Sequence, residues 1–191
     1  MRFLSFGIVL AALATVAHAG PITYIETGEI SGRLGTGNAA ISLTNTSFSF
    51  TFNSDTANIF TFTPGVLFNP ALSNSITIGA LSGSFTEAMI AGLVPGSGLI
   101  GMGGAAGDKA INFSSAGAVG YGLVTPISVS NPAASFAGGT YSTTLGDLVV
   151  TGAQNLTFTA VLGTPEPGTI GLSVVGLLAL AGTALRRSKL S

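Results

Sequence analysis

Phe48-Ser49-Phe50-Thr51-Phe52 decides the fold. Side chains of an extended strand alternate between its faces, so this run sets three phenylalanines on one side and hydroxyls on the other. Ile41-Ser42-Leu43 and Phe60-Thr61-Phe62 repeat the pattern to either side. Comparable runs recur at residues 75–80, 119–124, 140–145, 147–151 and 155–161. Pro64-Gly65, Asn69-Pro70, Asn131-Pro132 and Gly138-Gly139 punctuate them as turns. Short strands at this spacing predict an all-β domain, an antiparallel sandwich (jelly-roll-like) or a barrel. Residues 88–107 are apolar and glycine-rich without alternation, and read as a long loop or short helix crossing that domain.

The chain has 191 residues, 28 of them glycine, with 47% hydrophobic residues but only 7% charged. A surface so poor in charge must be solvated by Ser, Thr, Asn and backbone groups. Four of the six basic residues, Arg2, Arg186, Arg187 and Lys189, sit near the termini. Between Gly20 and Thr164 only Arg33 and Lys109 stand against Glu26, Glu29, Asp55, Glu87, Asp108 and Asp147. A phosphate backbone needs clustered Lys and Arg, so this region is not expected to bind nucleic acid.

The first nineteen residues have the form of a signal peptide. Arg2 gives a positive start, residues 3–16 are largely apolar, and Ala17-His18-Ala19 puts small residues where signal peptidase requires them. Cleavage is expected between Ala19 and Gly20, after engagement of the export translocon. The competing reading, an uncleaved anchor, suits a longer apolar stretch of roughly 20 residues.

The other end has three parts in order. Pro165-Glu166-Pro167 is a stiff extended tripeptide, because each proline fixes its own φ and biases the residue before it away from helix. Residues 168–185 then run without a charge; as a helix they would span about 27 Å, near the roughly 30 Å hydrocarbon core of a bilayer. Arg186, Arg187 and Lys189 form a basic membrane stop in residues 186–191. By the positive-inside rule the tail end is cytoplasmic and the β domain outside. A flanking signal helix and a C-terminal transmembrane helix are therefore expected around a Gly/Ser/Thr-rich β domain at 20–163.

Thr164-Pro165-Glu166-Pro167-Gly168, an apolar span and a basic end together resemble the PEP-CTERM sorting signal. The resemblance covers residues 164–191, with Thr164 where many members carry Val. It implies a bacterial exported protein whose tail is recognised at Pro165, Glu166 and Pro167 by exosortase, an integral membrane protease-like enzyme. It also implies an inner-membrane-anchored precursor, later at the cell surface or in the extracellular matrix, often alongside exopolysaccharide and biofilm. A plain permanent tail anchor is the alternative; a sortase signal would need Leu-Pro-x-Thr-Gly, which is absent.

Chemistry in the middle is sparse. His18, the one histidine, would leave with the signal, and there is no cysteine; a Ser-His-Asp triad or a His- or Cys-based metal site cannot be assembled. Lys109 beside Asp108 reads as a solvated charge. Glu26 and Glu29, three apart on a strand, point to opposite faces, and the six acids read as solvation more than as a glycosidase pair. Calcium is the one cofactor considered, on oxygen ligands from Asn53, Asp55, Asn58 or Asp108. Gly96-Ser97-Gly98-Leu99-Ile100-Gly101 matches a dinucleotide fingerprint in letters but lacks the strand–turn–helix setting. The expectation is a non-enzymatic exported structural or interaction protein. The alternatives are a small carbohydrate-binding module for exopolysaccharide and a carboxylate-based hydrolase.

Overall fold

The computed structural model describes residues 19–163, so the signal segment up to His18 and the sorting segment 164–191 lie outside the described residues, with the two helices expected there. Twelve strands follow in order. They are β1 (Pro21–Leu34), β2 (Ile41–Asp55), β3 (Phe60–Thr63), β4 (Val66–Pro70), β5 (Ser73–Ile78) and β6 (Leu81–Gly83). The second half holds β7 (Met89–Val94), β8 (Leu99–Gly104), β9 (Ala110–Ser114), β10 (Ile127–Ala133), β11 (Phe136–Thr143) and β12 (Gly146–Leu162). Three short 3-10 turns complete the regular structure, and among the described residues no helix is long and apolar enough to cross a membrane.

All pairings are antiparallel, in the order β3-β4-β7-β8-β9-β11-β12-β1-β2-β5-β6, with β10 also beside β12. The sheet is open: β3 and β6 are its ends, so the barrel alternative does not hold. It bends at Gly138-Gly139. The first residues of β11, up to Gly138, pair with β9, and from Gly139, at φ +111°, the strand pairs with β12 instead. Two glycines let one strand belong to both halves, a usual way to turn a sheet corner.

The halves fold over one another around one core. Ile22, Tyr24, Ile30, Phe48, Phe50, Phe52, Leu156 and Phe158 come from one side, and Met89, Leu93, Ile100, Met102, Ile111 and Phe113 from the other. The Phe48–Phe52 alternation is realised, with all three rings buried in contact with Phe85 and Tyr141 or each other. The outer face of the sheet formed by β10, β12, β1, β2, β5 and β6 carries the hydroxyls. Ser130, Thr157, Thr27, Ser49, Thr77 and Ser82 stand in register across six adjacent strands.

Several sequence expectations fail here. Of the four expected turns only Pro64-Gly65 is one; Asn69-Pro70, Asn131-Pro132 and Gly138-Gly139 lie within β4, β10 and β11, where prolines and glycines sit at strand ends, edges and a bend. Residues 88–107 are neither loop nor helix but the β7–β8 hairpin, paired from Met89↔Gly104 to Val94↔Leu99. Its strands are apolar on both faces, which removes the alternation that marks a half-exposed strand. Residues 119–124 are not a strand: a 3-10 turn at Ala116–Ala118 is followed by irregular chain, with Leu123 at φ +62°. Tyr121 and Leu123 nevertheless face the core.

Candidate functional site

The ends of the described chain meet. Ile22 pairs with Leu162, and the Gly163 N–H donates to the Pro21 carbonyl at 2.8 Å. The Gly20 N–H donates to Thr56 Oγ1 at 2.9 Å, and the Thr56 N–H returns a bond to the Gly20 carbonyl at 3.0 Å. Ala19 is exposed and Gly20 half-buried, so of the residues read as the signal peptidase site these two lie at the edge of the sheet; Ala17 lies outside the described residues. Pro165, Glu166, Pro167, Arg186, Arg187 and Lys189 also lie outside them. The described chain thus ends at Gly163 beside the start of β1.

A buried chain of polar groups stiffens this end. The Tyr24 hydroxyl donates to the Leu123 carbonyl at 2.7 Å and accepts from Asn69 Nδ2 at 2.8 Å. Asn69 Oδ1 in turn accepts from Ser54 Oγ at 2.5 Å. Burial pushes the Tyr24 hydroxyl up to about 12, partly opposed by Asn69. A buried network with every member satisfied specifies one arrangement, here of β1, β2, β4 and the loop before β10.

Two of the six acids, Glu87 and Asp108, converge on the Lys109 ammonium. Glu26 is fully buried; its Oε2 accepts from the Met102 N–H of the facing half at 3.1 Å, while Oε1 has no partner among the described residues. Burial pushes its carboxyl well above the usual range, countered only in part by that N–H. The expectation that all six acids are solvated is therefore corrected for Glu26. Glu29, on the opposite face as expected, accepts from Gln154 Nε2 at 2.7 Å and Asn155 Nδ2 at 3.2 Å.

Lys109 is also corrected: it is not a solvated charge. Its side chain is 9% exposed, and Nζ lies 2.6 Å from Glu87 Oε2 and 3.7 Å from Asp108 Oδ2. It donates to the Thr140 carbonyl at 2.9 Å and sits over the Tyr141 ring. An ammonium so committed is a clip between β9 and β11, not a general base.

Of the calcium ligands considered from sequence, Asn53, Asp55 and Asn58 lie at the end of β2 and in the turn after it, and among the described residues no group of three or more His, Cys, Asp or Glu forms. Asn53 is bonded to Thr23 and Ser73, Asp55 Oδ1 accepts from the Ala57 N–H, and Asp108 lies beside Lys109. Gly96 to Gly101 forms the β7–β8 turn and the start of β8, so the dinucleotide letters occupy a hairpin with no helix after them.

One groove of about 230 Å³ opens on the outer face of β4, β7, β8 and β9. Phe68 forms a wall, and a Cβ at Gly92 would come within 2.9 Å of its ring, so glycine is what lets the ring lie on the sheet. Asn112 lines the same groove, with Oδ1 unpartnered among the described residues. Nothing catalytic converges there. Compared with protein-family models, curated proteins and solved structures, the chain matches none.

Proposed function

We propose that the protein is a non-enzymatic, exported bacterial surface or matrix-interaction protein, a jelly-roll-like β domain delivered by a cleavable signal and sorted by exosortase. The order Pro165-Glu166-Pro167, uncharged span, Arg186-Arg187 carries the reading. In it, the export translocon and signal peptidase handle the N-terminus, and the span holds the precursor in the inner membrane. The closed β1–β12 end fits this scheme, because a cut beyond Gly163 leaves all twelve described strands in place.

The test is the mass of cell-associated and released protein in a host with exosortase. The parent should lose its basic end, while Pro165→Ala, Glu166→Ala and Pro167→Ala together should be exported but keep Arg186, Arg187 and Lys189. Alanines would let helix propagate outward where prolines hold the backbone extended and accessible. Equal processing of both chains would sink the sorting reading and leave an ordinary anchor.

A second reading, a carbohydrate-binding module for exopolysaccharide, is favoured by the hydroxyl row from Ser130 to Ser82. The row is uncharged, at about 4.8 Å per strand. The tyrosines give no stacking platform, since Tyr24, Tyr121 and Tyr141 are all buried. Retention of the protein on purified exopolysaccharide, lost when Thr27, Ser49 and Thr77 become alanine, would support this reading. Unchanged retention would refute it.

A further inference from the structure

The outer face of the other half carries a different row. Phe60, Phe68, Gly92, Gly101, Asn112 and Phe136 stand in register across β3, β4, β7, β8, β9 and the first residues of β11. Aromatic rings thus flank a strip of two glycines and one carboxamide. Neighbouring strands lie about 4.8 Å apart, which puts the Phe68 and Phe136 backbones about 19 Å from each other.

Both rings lie down on glycine. A Cβ at Gly92 would come within 2.9 Å of the Phe68 ring, and one at Gly138 within 3.3 Å of the Phe136 ring. Phe60 and Phe62 extend the Phe68 end, with ring centroids 5.9 and 5.8 Å from its own. Phe60, Phe62 and Phe136 are exposed. Between the rings the backbone itself is the floor: a Cβ at Gly101 would stand 2.1 Å from the Ile111 carbonyl oxygen. Glycine in a strand leaves room for another molecule to approach the main chain closely. The groove of about 230 Å³ lies on this strip, and Ile90 is buried in it while belonging to no part of the core.

Three features restrict the occupant. Among the described residues Lys109 is the one charged residue lining the groove, and its ammonium is committed to Glu87 and the Thr140 carbonyl. A neutral strip suits a neutral ligand, and a polyanion would need cations. The rings offer flat faces against which C–H surface packs. Asn112 Oδ1 has no partner among the described residues, and the terminal torsion of a carboxamide lets either its oxygen or its N–H donors face a ligand. A pure hydrocarbon would leave that group unmatched. An uncharged molecule that combines C–H faces with hydroxyls, and reaches from ring to ring, is a carbohydrate chain.

We propose that this strip binds a neutral polysaccharide lying across the strands, with sugar faces on Phe68 and Phe136 and a hydroxyl bonded to Asn112. The proposal rests on the carbohydrate reading for its ligand class and differs from it in surface, because the hydroxyl row stands on the opposite outer face. Binding of full-length protein is measured on surfaces coated with laminarin, hydroxyethyl cellulose or dextran, with alginate as the charged counterpart. The parent should bind at least one neutral polymer saturably, and equally at low and high salt. Phe136→Ala and Asn112→Ala should each weaken that binding about fivefold or more. Leu72→Ala, at an exposed position off the strip, should leave it unchanged. Phe136 is a surface residue and Asn112→Ala removes an acceptor that has no partner, so folding is not at stake.

Binding that survives both substitutions overturns this site. If it is then lost when Thr27, Ser49 and Thr77 become alanine, the carbohydrate reading stands on the hydroxyl row alone. Stronger binding to alginate that fades with salt also overturns the site. Failure to bind any of the neutral polymers defeats the site and the carbohydrate reading together. Self-association abolished by Phe136→Ala, in a chain that binds no polymer, would assign the strip to a second copy instead.

Discussion

Glu26→Gln should be more stable than the parent at pH 8, with the difference shrinking as pH falls and vanishing near pH 4. The Glu26 carboxyl is raised above its ordinary 4.5 by burial. The folded state therefore keeps a proton that the unfolded chain releases once pH exceeds that ordinary value. Folded-state proton excess means stability is full below the unfolded pKa and falls as pH climbs toward the folded one. Each pH unit across that window costs about 1.4 kcal/mol. Glutamine has the same shape, does not ionise, and keeps an oxygen for the Met102 N–H. Thermal melts of both proteins at closely spaced pH values isolate the effect, since every other titration is common to both. A difference independent of pH would show that Glu26 is ionised in the fold.

The second large effect is expected at Gly32. It lies in β1, the strand flanked by β12 and β2, where both pairings are irregular: the β12 register shifts between Ser31 and Gly32 and the β2 register between Ile30 and Gly32. Its φ is +149°, and a Cβ there would stand 1.9 Å from the Val149 carbonyl oxygen. That contact is backbone, so no side-chain rotation relieves it. Gly32→Val adds a β-branched side chain to the same place, and should cost on the order of 4 kcal/mol or more, at the upper end for single substitutions. Urea unfolding checks it, with Gly37→Val as the contrast. Gly37 also has positive φ, at +61°, but nothing lies within 4 Å of its Cβ position. If Gly32→Val unfolds no earlier than Gly37→Val, strain rather than collision governs these positions.

How much of this was legible depends on whether a strand has two kinds of face. Phe48 to Phe52 showed its core side in five letters, because rings alternate with hydroxyls. Residues 155–161 read correctly for the same reason: Leu156, Phe158 and Ala160 face in. Met89 to Val94 hid its strand because it is apolar on both sides, and periodicity cannot separate such a run from a loop or helix. Glu26 was readable in principle. Ile22, Tyr24 and Glu26 share one phase, so the ladder that buries the first two buries the third, and reading the residue as a surface charge ignored its place in the alternation. Lys109 carried no such signal. Its partner Glu87 is 22 positions away, and only the fold brings them together. For the terminal segments the sequence remains the source, since their motifs lie outside the described residues.

The pairing of β1 with β12 also dictates timing. Ile22 waits for Leu162, 140 positions later, and β1 meets no other long partner than β2 until then. A chain emerging at roughly 5–20 residues per second takes about 7 to 28 s to present that partner. Until it does, β1 is shielded by β2 on one edge alone, and the core's central seam is open. Such long-range closure is intrinsically slow. The domain is thus built to stay loose through most of its synthesis, and to lock only when β12 has arrived.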